Sequence, residues 1–169
     1  MIDKKDDEVY TPPDATAKPA PTKPPVPAEL LTAAPNALCG RLSEIKIIPH
    51  RDPTVTDPIY DALIAKGDDV IPCLVDKITD KTLMQDPREA PTWQYYAVGD
   101  TAVFLLIDIL RDNDAERAKL LIEMLPKKYK EEWKTNGVYA YFNYVSEPTN
   151  RRELQSWWKN WLKENRKRK

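Results

Sequence analysis

The sequence predicts an all-α fold, and three observations carry that expectation. Apolar residues recur at i, i+3, i+4 spacing over most of residues 36–169. Several of these stretches carry recognisable helix ends. No stretch of alternating character finds a second strand to pair with. Of 169 residues 16 are proline and four are glycine, and eight of the prolines fall in the first 35 positions. Residues 1–35 therefore read as a disordered, proline-rich tether, unable to bury enough apolar surface to offset its ordering entropy. Residues 36–169 read as one domain, long enough for a hydrophobic core without metal or a dense disulfide framework.

Asn36 to Ile47 is expected as a first helix, with Leu38, Leu42 and Ile45 on one face; Pro49 and Pro53 then break the chain. The second helix has Asp57 as N-cap, Pro58 at the first helical position and Gly67 past its end. A third follows, capped by Asp68 or Asp69, with Pro72 in its first turn and Ile71, Leu74, Val75 and Ile78 inside. So short a turn predicts that these two pack as an antiparallel hairpin. Thr79–Ala97 shows no periodicity and reads as a long loop, a length that is often functional. Gly99-Asp100 opens a helix through Leu110 that is apolar nearly all round, as a central helix should be. Asn113 or Asp114 caps its partner, which Pro126 ends. Tyr129 and Trp133 mark a short helix closing at Gly137. Residues 138–145 suit helix or strand, and helix is expected because no strand partner exists. Asn150 and Glu153 suggest a capping box, followed by a stripe of Leu154, Trp157, Trp158, Trp161 and Leu162.

Charge narrows the function. With 26 Lys+Arg against 27 Asp+Glu the net charge is −1, which argues against a chain built mainly to grip nucleic acid or anionic lipid. No apolar run approaches the roughly 20 residues that cross a bilayer. The opening Met1–Glu8 is too charged to be the apolar core of an export signal. Two readings stay open: a cytoplasmic chain, or a periplasmic or envelope-associated one tethered through a missing N-terminal anchor. Cys39 and Cys73 bear on this. A bridge would close a loop of about 34 residues and stabilise by roughly 3–4 kcal/mol; two buried free thiols are the alternative. With no Cys-x-x-Cys and a single histidine, the spacing fits no zinc site and no other metal or cofactor is implied.

The run Asp57–Ile78, a helix, a glycine turn and a second helix reading VIPCLV, resembles HEAT-type helical repeats. Val98–Ala102 begins a second unit about 43 residues after Asp57, within the HEAT period. The resemblance covers roughly residues 57–125 and implies HEAT-like stacked antiparallel hairpins with an amphipathic C-terminal helix. The segments DALIAKGDDVIPCLVDKITD and VGDTAVFLLIDI are similar to small proteobacterial proteins, a class that includes immunity proteins neutralising antibacterial toxins. That resemblance implies a non-catalytic protein binder.

Residue chemistry offers little for other functions. His50 is the sole imidazole, but no serine lies in a nucleophile motif. The pairs Asp76/Asp80 and Asp108/Asp112 share helical faces at i, i+4 and could hold a cation or do acid–base work; solvated helix faces explain them as well. Arg151, Arg152 and Lys159 beside three tryptophans suit nucleic-acid stacking, though a tryptophan stripe at helical spacing more often builds core. The loop residues Trp93, Tyr95 and Tyr96, with Asp86 and Arg88, are the expected partner-binding set, since large aromatics make interface hot spots. The competing reading folds the loop back over the hairpins. The sequence thus predicts no catalytic residues and a protein partner, and its resemblance implies a toxin inhibitor. An envelope adaptor lipoprotein and a small carboxylate enzyme are the alternatives.

Overall fold

The computed structural model describes residues 22–49, 54–89 and 92–166. His50 and the first 21 residues of the expected tether lie outside the described residues. Those described are helical, in the order α1 (Ala28–Thr32), α2 (Pro35–Cys39), α3 (Pro58–Lys66), α4 (Ile71–Lys77), α5 (Val98–Leu110), α6 (Asp114–Glu123), α7 (Lys127–Asn136), α8 (Tyr139–Ser146) and α9 (Asn150–Arg166). Their one β feature is an isolated antiparallel bridge between Leu83 and Ala97.

The centre is α5. Val98 through Val103 and Leu105 through Ile107 are all buried, and α3, α4 and α6 each lie against it. Its first turn comes unusually close to the end of α4: the Gly99 N–H donates to the Asp80 carbonyl at 2.9 Å. A Cβ at Gly99 would overlap the Ile78 carbonyl oxygen and stand 2.9 Å from Arg151 Nη1. Glycine is needed here for space, whereas Gly67 and Gly137 supply the positive φ (55° and 54°) that ends α3 and α7.

Asp57 does more than cap α3. One carboxylate oxygen accepts from the Ile59 and Tyr60 N–H groups, both at 3.1 Å, and the other from Lys46 N–H at 2.8 Å. It therefore stitches the segment after α2 to the start of α3. Cys39 and Cys73 are joined in a disulfide, with Cα atoms 6.1 Å apart, linking α2 to α4. Leu38, Leu42, Ile45 and Ile48 bury beneath that link.

Five expectations are revised. The folded part begins before residue 36, because the pair Leu30-Leu31 lets 28–32 close a helical turn that buries Leu30. The first helix expected over 36–47 stops at Cys39, and a 3-10 turn at Leu42–Glu44 carries the chain onward. Neither Asp68 nor Asp69 caps α4; a 3-10 turn over Gly67–Val70 runs straight into it. The turn is tight enough that α3 and α4 meet mainly through it, each leaning on α5, instead of pairing as a hairpin. Asn150 does not close a capping box; it is already helical and donates its amide to the Tyr144 carbonyl at 2.8 Å. Residues 139–146 are helical, as expected.

Candidate functional site

The loop between α4 and α5 lies over α8, held by a buried ion pair. Asp86 accepts from Arg88 Nε at 3.0 Å and Nη2 at 2.6 Å, with both side chains almost fully buried. The same carboxylate takes the Arg88 and Trp93 backbone N–H groups at 3.0 and 2.8 Å. All four contacts serve to shape the loop. The Arg88 guanidinium sits over the rings of Phe142, Phe104 and Tyr96, at 4.5, 5.0 and 5.5 Å from their centroids. Cation–π contacts that are desolvated in this way contribute on the order of 2 kcal/mol.

Three of the expected contact residues are therefore interior. Asp86 and Arg88 are consumed by the clamp, and Tyr96 is fully buried, its hydroxyl accepting from Thr101 Oγ1 at 3.1 Å. They hold the face; they do not present it. A turn at residues 94–95, closed by the Tyr96 N–H donating to the Trp93 carbonyl at 3.2 Å, explains the split: Tyr95 stays outside on the turn as Tyr96 points inward. Tyr95 is 62% exposed, and Leu83, across the β-bridge segment, is 64% exposed. Trp93 is half-buried, with one face stacked on Phe142 at 5.2 Å and 16°.

Two grooves share Trp93 as a wall. One, of about 550 Å³, runs between Trp93 and the exposed Tyr139 of α8, floored by Met84 and rimmed by Gln85, Thr92 and Gln94. The other, of about 290 Å³, runs between Trp93 and Tyr95, with Leu83 and Val145 on its sides. The second reaches inward to Asp100 and Arg151. There Asp100 accepts from the Tyr141 hydroxyl at 2.6 Å, Arg151 Nη2 at 3.0 Å and the Ala97 N–H at 2.9 Å. Burial, then the Asp100 carboxylate, raises the Tyr141 phenol well above its ordinary value. Burial works against the Arg151 charge, but Asp100 and Tyr141 outweigh it and raise the guanidinium. This hub ties α5, α8 and α9 beneath the grooves.

The remaining candidates disperse. Asp108 accepts the Tyr60 hydroxyl at 2.6 Å and pairs with Arg117 at 3.3 Å, while Asp112 is exposed. Asp80 accepts from the Thr82 N–H at 3.0 Å and pairs with Lys77. Burial opposes its ionisation, yet those partners hold its carboxyl below the usual range. Asp76 is exposed beside it. Among the described residues no group of three or more His, Cys, Asp or Glu side chains could hold a metal ion. Nor is any described helix long and apolar enough to cross a membrane. Of the basic and tryptophan set on α9, Arg151 is taken by Asp100, Trp158 is fully buried, and Trp161 packs under Arg111 at 5.3 Å.

Sequence reasoning missed Leu83 and Tyr139 on this face. Leu83 had a signal, a lone large aliphatic in a polar stretch; Tyr139 was one of four aromatics in a helix whose outward side the sequence did not mark. What the arrangement offers chemically is apolar and aromatic contact area, with the Gln85, Thr92 and Gln94 side chains along one groove and Lys81 and the Asp100–Arg151 pair lining the other. Comparison with protein-family models, with curated proteins and with solved structures gives no match.

Proposed function

We propose that this protein is a non-catalytic binding module whose contact surface is the Leu83–Trp93–Tyr95–Tyr139 face. The carrying observation is the pairing of exposed aromatics with a buried clamp. Asp86 and Arg88 fix the loop backbone that carries Trp93 and Tyr95, so little backbone entropy is lost when a partner covers them. Hot spots form where aromatic anchors sit on a preformed base. For the scaffold beneath we keep a HEAT-like reading of residues 57–125; the packing of α6 on α5 supports it, whereas α3 and α4, which do not pair with each other, depart from it.

The partner we propose is an antibacterial toxin, neutralised by coverage of its surface, in line with the resemblance of residues 61–80 and 98–109 to immunity-type proteins. The Cys39–Cys73 bridge supports an oxidising compartment such as the periplasm, where disulfides persist.

The test is affinity capture on the full chain from lysate of its native cell, followed by activity assays on the captured protein. One stoichiometric partner with toxic or lytic activity is expected, silenced by the wild-type chain. Tyr95→Ala and Leu83→Ala, both at exposed positions, should weaken silencing by about 2 kcal/mol or more for the dominant anchor with melting unchanged. A partner silenced equally well by both variants, or captured proteins without such activity, would overturn the proposal.

A further inference from the structure

We infer that the Cys39–Cys73 bridge is a redox latch on the Asp86–Arg88 clamp. Closed, it holds an N-terminal cap, residues 28–48, against the helices, and the cap steadies the clamp. Opened, it lets both slacken. The inference concerns the fold's own response to oxidation and does not depend on which partner the aromatic face meets.

The cap has little local structure to rely on. Helices α1 and α2 have five residues each and a three-residue 3-10 turn follows them. An isolated helix is only marginal in water even at about 12–15 residues. Neither α1 nor α2 has a side-chain hydrogen bond at its N-cap. What seats the cap is tertiary: Leu30, Leu38, Leu42, Ile45 and Ile48 are buried. Both α1 and α2 lie against α3, α2 also lies against α4, and the 3-10 turn lies against α5. To this the bridge adds one covalent tie, from the end of α2 to the first turn of α4. While it is closed, Cys39 cannot leave α4 and the cap opens only in part. Once it is broken, the cap can lift as a unit, as weakly supported segments do well below global unfolding.

The far end of the cap meets the clamp. The Ile48 N–H donates to the Pro87 carbonyl at 2.9 Å, and Ile48, Pro49 and Pro87 are all buried. Pro87 is the residue between Asp86 and Arg88, so this bond bears on the backbone that sets the ion pair. Just before it, Asp57 accepts from the Lys46 and Ile47 N–H groups at 2.8 and 3.4 Å. Residues 46–48 thus form a short bar between the start of α3 and the clamp. Leu42 and Ile45, the apolar seats that precede the bar, belong to the cap. A lifted cap removes those seats and leaves the Pro87 carbonyl without a fixed donor.

The chemistry is thiol–disulfide exchange with a dithiol. Cys73 is 8% exposed against 2% for Cys39, and Pro72 beside it is exposed, so an attacking thiolate meets the Cys73 sulfur first. Attack forms a mixed disulfide and releases Cys39 as a thiolate, which takes up a proton. The reductant's second thiol then frees Cys73. The protein gains two electrons and two protons, and the dithiol leaves as a disulfide. A disulfide-bearing oxidant closes the latch by the reverse steps. The loop under the aromatic face is therefore braced in an oxidising compartment and slack in a reducing one.

The test is amide hydrogen exchange, read residue by residue by NMR on the ¹⁵N-labelled full chain. Three forms are compared: bridged, reduced with dithiothreitol, and Cys39→Ala/Cys73→Ala. Each is measured without urea and in about 1 M urea, because local opening exposes less surface than global unfolding and so responds less to denaturant. The reporters are the Ile48 N–H on Pro87 and the Arg88 and Trp93 N–H groups on Asp86. In both unbridged forms these three should exchange at least about tenfold faster than in the bridged chain. Their urea dependence should stay weaker than that of Leu105 and Leu106 in α5. Acceleration confined to residues 28–48, with Arg88 and Trp93 at their bridged rates, would overturn the inference. So would a rise at Arg88 and Trp93 with the full urea dependence of α5, which reports a loss of global stability alone. An unchanged rate throughout the cap would show that the bridge is no latch.

Discussion

Replacing Arg151 by methionine isolates what the hub under the grooves contributes. The side chain keeps most of its length and loses its charge, while Asp100, fully buried, keeps its own. Of the three donors on that carboxylate, the Tyr141 hydroxyl and the Ala97 N–H remain, so the loss is one charge-assisted bond, the longer bond from Arg151 Nη1 to the Ile78 carbonyl at 3.4 Å and all compensation by a cation. Breaking a buried pair from one side costs about 3–5 kcal/mol, because it strands a charge away from water. For a chain of this size that corresponds to a fall in Tm of roughly 6–20 °C. Asp100→Asn should also destabilise, since Arg151 then lacks its anion. The double variant Arg151→Met/Asp100→Asn should recover part of the loss, with a coupling of at least about 1 kcal/mol in a double-mutant cycle. The assay is urea unfolding followed by far-ultraviolet circular dichroism at neutral pH. A cost below about 1 kcal/mol for Arg151→Met, or strict additivity of the two changes, would refute the reasoning and leave α9 held by its apolar stripe and its other polar ties, such as the Gln155 amide on the Val75 carbonyl at 2.9 Å.

Two further outcomes follow from the packing. Gly99→Ala should destabilise by at least about 2 kcal/mol, although alanine is the better helix former by about 1 kcal/mol, because its methyl group would overlap the Ile78 carbonyl; an unchanged or raised Tm in thermal unfolding would contradict this. Alkaline pH should unfold the protein cooperatively. Burial raises the phenols of Tyr60, Tyr96 and Tyr144, the last to about 12, and Tyr141 as well. An unfolded chain loses these protons near pH 10. The stabilisation is therefore complete below about pH 10 and declines as pH rises toward the folded values. Tyrosinate absorbance and loss of ellipticity should rise together, whereas stepwise ionisation with helicity intact would count against it.

What the sequence made legible was whatever is written locally. Asp57, Pro58 and Gly67 bracket α3 as expected, and Asn113 caps α6 by accepting from the Glu116 N–H at 2.9 Å, because caps and turns involve residues two to four apart. Nothing local says that Asp86 and Arg88 will turn inward. Two charges in a polar loop read as surface until three aromatic rings from α5, α8 and the loop itself close around the guanidinium. Arg151 was legible as part of a basic stretch and Asp100 as a helix cap; their 51-residue separation hid the contact. The aromatic face was half legible. Trp93 and Tyr95 stood out by type, whereas Tyr96 needed the fold to show which of two adjacent rings points outward.

The clamp separates two tasks that proteins often load onto the same residues. Asp86, Arg88 and the rings around them set the course of the loop, and none of their bonds involves the side chain of Leu83, Tyr95 or Gln94. Those outer positions can accept new side chains without any change to the frame that displays them. A molecule built this way can follow a changing partner by altering its outer layer one residue at a time, each variant inheriting an intact loop.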